Sequence, residues 1–248
     1  MARRARRRFV RLVDRLQAVD PQAPASLITQ GQVRVDGRIV RNPNALVAGD
    51  AAVVVKRPAE LKGTVKLRWA MDQSGVDPGG RVCLDLGAAA GGFTTALLEA
   101  GASRVYAVDT GFGQLSGRLR QDPRVVNLER TNLVDLDRRC LPAPVEVLTV
   151  DLSYLPLGEA LGQLHRVSFD DRADLLGLVK PTFELRQGRA VTDPDAVAKA
   201  VEVAAAGAEA AGWTVQQEIP APKLGRAGAL EVFLHASRRQ TGTGEMMT

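Results

Sequence analysis

Cysteine is nearly absent: Cys83 and Cys140 are the only two in 248 residues. Two thiols in unrelated surroundings make neither a disulfide framework nor a zinc site, and they point to a reducing compartment, the cytoplasm. Histidine is as scarce. His165 and His235 stand alone at the ends of expected elements and read as structural, so no metal centre is expected. Long apolar runs are missing too. A membrane span takes about 20 apolar residues. The nearest approach, "AVAKAVEVAAAGAEAA" (196–211), is interrupted by Lys199, Glu202 and Glu209. The basic N-terminus is not followed by an apolar core, so no secretory signal is expected. What is left is a globular composition, 45% hydrophobic and 25% charged, long enough for one large domain and one small one.

Charge is abundant but uneven. Residues 1–41 hold ten arginines against three aspartates, a net +7, whereas the other 207 residues carry 23 basic and 25 acidic side chains, a net −2. The whole excess of +5 therefore belongs to the N-terminal segment. Such an arm is the electrostatic footprint of a polyanion, most simply nucleic acid. The candidate contacts are Arg3, Arg4, Arg6, Arg7, Arg8, Arg11, Arg34 and Arg38.

After a basic arm (1–8), "FVRLVDRL" spaces Phe9, Leu12, Val13 and Leu16 as one face of a helix over 9–16. A second short helix is predicted over 24–30, closed by Gly31. In "QVRVDGRIV" the Asp36-Gly37 pair between alternating apolar residues predicts a hairpin, and "AAVVVKR" (51–57) predicts a further strand that Pro58 ends. Two small helices and a hairpin make a compact module over 9–56. It resembles the RNA-binding module shared by a small-subunit ribosomal protein, pseudouridine synthases and tyrosyl-tRNA synthetases, the likeness resting on "SLITQGQVRVDGRIV".

Residues 57–78 read as a linker and a short helix carrying Lys66. From 79 to 238 apolar strands and helices alternate. Strands are predicted at 81–86, 104–109, 124–128, 145–150, 173–179, 214–219 and 229–236, and helices at 92–101, 113–121, 157–166 and 193–211. That alternation argues for an α/β fold with a mostly parallel, doubly wound sheet. The tail 239–248 is expected to be disordered.

"VCLDLGAAAGGFTT" (82–95) combines a strand, a turn of small residues and a helix start. Gly87, Gly91 and Gly92 let a ligand approach the backbone, and the helix N-terminus offers free N–H groups. Ala89 stands where a dinucleotide fingerprint needs its second glycine, and no Gly-Lys-Ser/Thr follows. Asp109 closes the next strand, where a carboxylate can accept ribose hydroxyls. With Asp85 in the same register, the set fits an adenosine-containing cofactor that lacks a diphosphate. Ala88 and Phe93 belong to the same turn, although Phe93 fits core packing as well. The plain alternative is a tight packing turn.

"DLGAAAGGFTT" resembles the S-adenosylmethionine loop of FtsJ-type RNA ribose methyltransferases. With "VKL" (65–67), "VDLSYLPL" (150–157), "LVKPTFE" (178–184) and "PKLGRAGALEVFLH" (222–235), the chain is similar to the TlyA family of rRNA 2′-O-methyltransferases, historically called haemolysins. The resemblance implies a Rossmann-like class I SAM-methyltransferase fold of seven strands, the last antiparallel. It also implies SAM as cofactor, with Asn132 and Asp151 among its contacts, and RNA, specifically rRNA in ribosomal subunits, as partner.

The resemblance assigns a catalytic Lys-Asp-Lys-Glu set to Lys66, Asp151, Lys180 and Glu231. The residues themselves support it: Asp151 and Lys180 end apolar strands, and ligands of open α/β sheets bind at the carboxyl ends of parallel strands. A ribose hydroxyl attacks a methyl sulfonium only once its proton is taken, which makes Lys180 the expected base, with Lys66 as second cation and the two acids orienting them. Alternatively, Asp151 and Lys180 form a plain surface ion pair. The surroundings depart from the family: "LKGT" (61–64) replaces "SRGG", Thr95 and Thr182 replace an aspartate and a glutamine, and Ala229 stands in an asparagine's place. The competing functions are a non-catalytic RNA-binding or ribosome-assembly factor, a small-molecule methyltransferase and a membrane-active haemolysin. The missing span disfavours the last.

Overall fold

A computed structural model describes residues 8–18, 23–56, 60–222, 225 and 228–238. Arg3, Arg4, Arg6, Arg7 and the 239–248 tail lie outside the described residues. The chain divides into two compact units, one up to Glu60 and one from Leu61.

In the first unit, β1 (Phe9–Arg11) leads into α1 (Leu12–Gln17), followed by α2 (Pro24–Thr29), β2 (Val33–Val35), β3 (Arg38–Ile39), β4 (Leu46–Ala48) and β5 (Val53–Val55). β3, β2 and β5 form one antiparallel sheet, and β1 pairs antiparallel with β4. Leu12, Leu16, Ile28, Val33 and Val47 are the buried core. At the hairpin Asp36 and Gly37 both have positive φ, 48° and 81°, the geometry a two-residue turn between twisted strands needs. The helix expected over 9–16 begins only at Leu12. Phe9 to Arg11 find backbone partners on Leu46–Ala48, a strand too short to show a sequence period, and that ladder outcompetes the helix. The Arg15 guanidinium reaches the carbonyl oxygens of Ala48 (2.6 Å), Gly49 and Ala51, tying the helix to the turn after β4.

The second unit opens on α3 (Lys62–Ser74), the expected helix carrying Lys66, which runs for 13 residues and is ended by Gly75 at φ 73°. Then follow β6 (Val82–Leu86), α4 (Gly92–Glu99), β7 (Arg104–Asp109), α5 (Gly117–Arg120), β8 (Val125–Glu129), β9 (Val145–Val150) and α6 (Leu157–Gly162). The unit closes with β10 (Phe169–Val179), α7 (Pro181–Glu184), α8 (Pro194–Ala210), β11 (Thr214–Pro220) and β12 (Val232–Ser237). The strands make one seven-stranded sheet, ordered β11-β12-β10-β9-β6-β7-β8. β12 runs antiparallel to both neighbours, and β6 to β10 are mutually parallel. This is the expected mostly parallel sheet with an antiparallel last strand.

Side chains alternate between two apolar layers. Leu84 and Leu86 of β6 pack with α6 and α8, whereas Cys83 packs with α3 and α4. α6 and α8 cross so closely that a β-carbon on Gly207 would lie 2.6 Å from the Gly158 α-carbon. The helix expected over 113–121 shrinks to one turn because Glu129 Oε1 accepts the N–H groups of Gln114 (2.8 Å) and Leu115 (3.1 Å), fixing the approach as a loop. From β6 the chain winds outward to β7 and β8 on one side and to β9 and β10 on the other. The strand order reverses there, which opens a crevice at the carboxyl ends of β6 and β9.

Candidate active site

The glycine-rich turn spans that crevice. Gly87 has φ 86° and Gly91 94°, where only glycine is unstrained. A β-carbon on Gly87 would collide with the carbonyl of Asp151, and one on Gly91 with the Leu119 side chain. The turn is thereby pressed against β9 and α5, leaving its backbone open on the cleft side. Gly92 at the head of α4 meets Gly63 of α3 in near backbone contact, and the Thr64 hydroxyl donates to the Gly92 carbonyl at 2.9 Å. The helix bearing Lys66 is thus latched to the turn.

Asp85 does not line the cleft, contrary to the sequence expectation. It is fully buried beneath the turn, where Thr94 (2.6 Å) and Thr149 (3.0 Å) each donate a hydroxyl to one of its oxygens. Burial pushes its carboxyl from 3.8 up to about 6, opposed by those two hydroxyls and reinforced by the Asp151 charge. The folded protein therefore holds this proton more tightly than the unfolded chain, and the group's contribution to stability declines as pH rises from about 4 to about 6. Asp85→Asn keeps a polar group but cannot ionise. Urea unfolding between pH 4 and 7 should show less loss of stability across that window in the variant than in the parent. Parallel curves would refute a buried, proton-holding Asp85.

Asp109 holds the other side of the turn. Its Oδ2 accepts the Ala89 N–H (2.9 Å) and its Oδ1 the Gly111 N–H (2.7 Å). It lines a narrow slot with Gly87, Val108, Thr131, Leu133, Leu152 and Tyr154. Thr131 and Leu133, which flank Asn132, take the wall, while the Asn132 side chain is turned to Asp135 at 3.4 Å. A second cavity runs from Leu61, Lys62 and Gly63 along the backbone of Gly87 to Ala90, past Gly92 and Phe93, to Asp151. Phe93 is buried and stacks on Phe233 with ring centres 5.9 Å apart, so it serves core and cavity wall at once.

The four charged candidates form two ion pairs. Lys180 Nζ lies 2.5 Å from Asp151 Oδ1 and donates to Ser153 Oγ at 2.8 Å. Lys66 pairs with Glu231, and both side chains are buried. Strand register explains how residues so distant in sequence meet. Val150 pairs with Gly177 and Val179 with Val232, so Asp151, Lys180 and Glu231 all step off the same edge of β9, β10 and β12. Glu231 precedes β12 rather than lying within it. Ser153 and Tyr154, in the loop after β9, escaped the sequence reading because a loop carries no period. In the other unit Arg8, Arg34 and Arg38 are exposed, while Arg11 is held by Asp14 at 2.7 Å. Among the described residues no cluster of His, Cys, Asp and Glu could hold a metal ion.

The slot beside Asp109 sets a carboxylate against an apolar wall of Val108, Leu133 and Leu152, and the cavity along the glycine turn leads from there past exposed backbone to Asp151. Residues 61–234 match the family of FtsJ-like methyltransferases. Over 243 residues the chain is 39% identical to the 16S/23S rRNA (cytidine-2′-O)-methyltransferase TlyA of Mycobacterium tuberculosis, covering 94% of this chain and 90% of that one. It is 31% identical to YqxC of Bacillus subtilis, provisionally named an rRNA methyltransferase, over 95% of this chain and 86% of the other. A solved structure from Streptococcus thermophilus, provisionally described as a hemolysin, shares the fold at a TM-score of 0.69 and 24% identity, over 94% and 89% of the two chains.

Proposed function

This chain belongs to the FtsJ-like methyltransferase family and, within it, to the TlyA group, and from that premise we propose that it methylates a ribose 2′-hydroxyl of rRNA in ribosomal subunits. S-Adenosylmethionine is the methyl donor and supplies an electrophilic methyl on sulfur. The observation that carries the reading is the convergence of two lysine–carboxylate pairs on the sheet edge that also carries the glycine turn.

Lys180 is the base: as the neutral amine, its Nζ takes the 2′-hydroxyl proton as the oxygen gains the methyl group, and the ammonium so formed is the one that pairs with Asp151. Asp151 and Ser153 aim that nitrogen. Lys66, held by Glu231, places a fixed positive charge beside the developing oxyanion. Gly87, Ala88, Gly91 and Gly92 shape the donor's seat, Phe93 walls it, and Asp109 faces the ribose. Asp85 supports the turn from beneath. The N-terminal unit, through its exposed arginines, grips RNA phosphates, so RNA affinity should fall steeply with salt. A reaction on ribosomes places the enzyme in the cytoplasm.

The test is transfer of labelled methyl from S-adenosylmethionine to purified ribosomal subunits, whole ribosomes and bare rRNA. Label that enters RNA and protects one linkage from alkaline cleavage supports the reading. Salt-dependent RNA binding without label on any substrate would replace it with that of an RNA-binding factor. Release of dye from liposomes would favour a membrane-active protein, although no described helix is long and apolar enough to cross a membrane.

A further inference from the structure

Glu184 stands one turn after Lys180, at the end of α7, and the proposed chemistry does not use it. Its side chain is buried at 8% exposure. Oε1 accepts the Leu157 N–H at 2.8 Å, and Oε2 is buried with no hydrogen-bond partner among the described residues. Both Glu184 and Lys180 line a small cavity whose other walls are apolar, among them Val150, Leu152, Leu155 and Leu178.

Leu157 is the first residue of α6, whose N-cap, Pro156, offers no side-chain acceptor. Its N–H is one of the orphan donors every helix start leaves, and Glu184 satisfies it from another element. The chain between Asp151 and Leu157 is therefore fixed twice by the same short turn. Lys180 holds the near end through Asp151 and Ser153, and Glu184 holds the far end through Leu157. We propose that Glu184 is a positioning residue for methyl transfer, clamping the segment 151–157 so that Asp151 and Ser153 keep the Lys180 nitrogen aimed at the reacting hydroxyl. This rests on the function proposed above.

The acceptor matters here rather than the charge. Burial, with a smaller contribution from Glu159, pushes the Glu184 carboxyl up to about 7, against the Leu157 N–H, and glutamine is a close mimic of its protonated form. Glu184→Gln keeps an acceptor at the same reach. Glu184→Asp keeps the carboxylate but draws it back by one methylene. A loss of aim of an ångström or less is enough to slow a reaction about 100-fold.

The experiment measures kcat and KM for RNA, and S-adenosylmethionine affinity by calorimetry, in parent, Glu184→Gln and Glu184→Asp. Glu184→Asp should lose about 10- to 100-fold in kcat with both affinities within about twofold of the parent, while Glu184→Gln keeps at least a third of parental kcat. Hydrogen exchange at the Leu157 amide should quicken in the aspartate variant and stay slow in the glutamine one. Both variants matching the parent would overturn the proposal, as would an active aspartate variant beside an inactive glutamine one, since that pattern assigns the role to charge. A parent that methylates no RNA sinks the functional reading and this proposal together, an outcome distinct from either.

Discussion

Lys180→Ala is expected to lower methyl transfer by about 10²–10⁴-fold, the usual range for removing a positioned general base. S-Adenosylmethionine binding should survive, because the slot beside Asp109 and the cavity along Gly87 to Ala90 do not include the Lys180 side chain. Folding should survive too. The Lys180 and Asp151 side chains keep 16% and 26% of their exposure, so losing the lysine should cost less than breaking a fully buried pair, although Asp151 Oδ1 itself is shielded from water. Lys180→Arg makes the test sharper. Arginine restores the positive charge beside Asp151 and Ser153, but its guanidinium does not give up a proton near neutral pH. If Lys180 acts as a base, the arginine enzyme should be about as inactive as the alanine one. If it serves only as an ion-pair partner, arginine should recover most of the activity. Single-turnover transfer of labelled methyl, read beside calorimetric donor binding, separates these cases. An alanine variant within tenfold of the parent would remove Lys180 from the chemistry.

Sequence alone placed that lysine at a strand tip because buried parallel strands announce themselves as unbroken apolar runs, and "LLGLV" and "EVLTV" each stop on a charge. The glycine turn was equally legible, since its φ values admit little else. Four features were hidden, each for its own reason. The pairing of Lys66 with Glu231 joins residues 165 apart, and only the β10–β12 register brings the second to the first's helix. Asp85 shares the strand and the motif of a ligand-binding residue, yet Thr94 and Thr149 enclose it beneath the sheet edge. Sequence spacing shows that a carboxylate is near a turn, not on which side of it. Ser153 and Glu184 act through single hydrogen bonds from non-periodic segments, so neither leaves a pattern to read. The strand β1 went unseen because its partner of three residues is too short to alternate. Long, buried elements were thus recoverable, and partners chosen by tertiary register were not.

The Lys66–Glu231 pair tests whether the second lysine is there for chemistry or for the fold. Both residues are 8% exposed, and the pair closes the gap between α3 and the start of β12. Glu231→Ala leaves an ammonium stranded in a space closed to water, and breaking a buried pair from one side costs about 3–5 kcal/mol. Urea unfolding should show a loss of that size, larger than the effect expected at Lys180. The double variant Lys66→Met, Glu231→Leu removes both charges and refills the space with apolar atoms of similar volume. Its stability should return to within about 1 kcal/mol of the parent or exceed it, because the desolvation of two ions disappears along with their attraction. A double-mutant cycle over the four proteins gives the coupling directly. Activity should not return with stability. Lys66 supplies the fixed positive charge in the proposed site, and a methionine cannot, so a well-folded double variant should stay at least about 10²-fold below the parent, as when one oxyanion-stabilising group is lost. A stable double variant with parental turnover would instead make the pair a structural latch and leave Lys180, with Asp151 and Ser153, as the whole of the acid–base machinery.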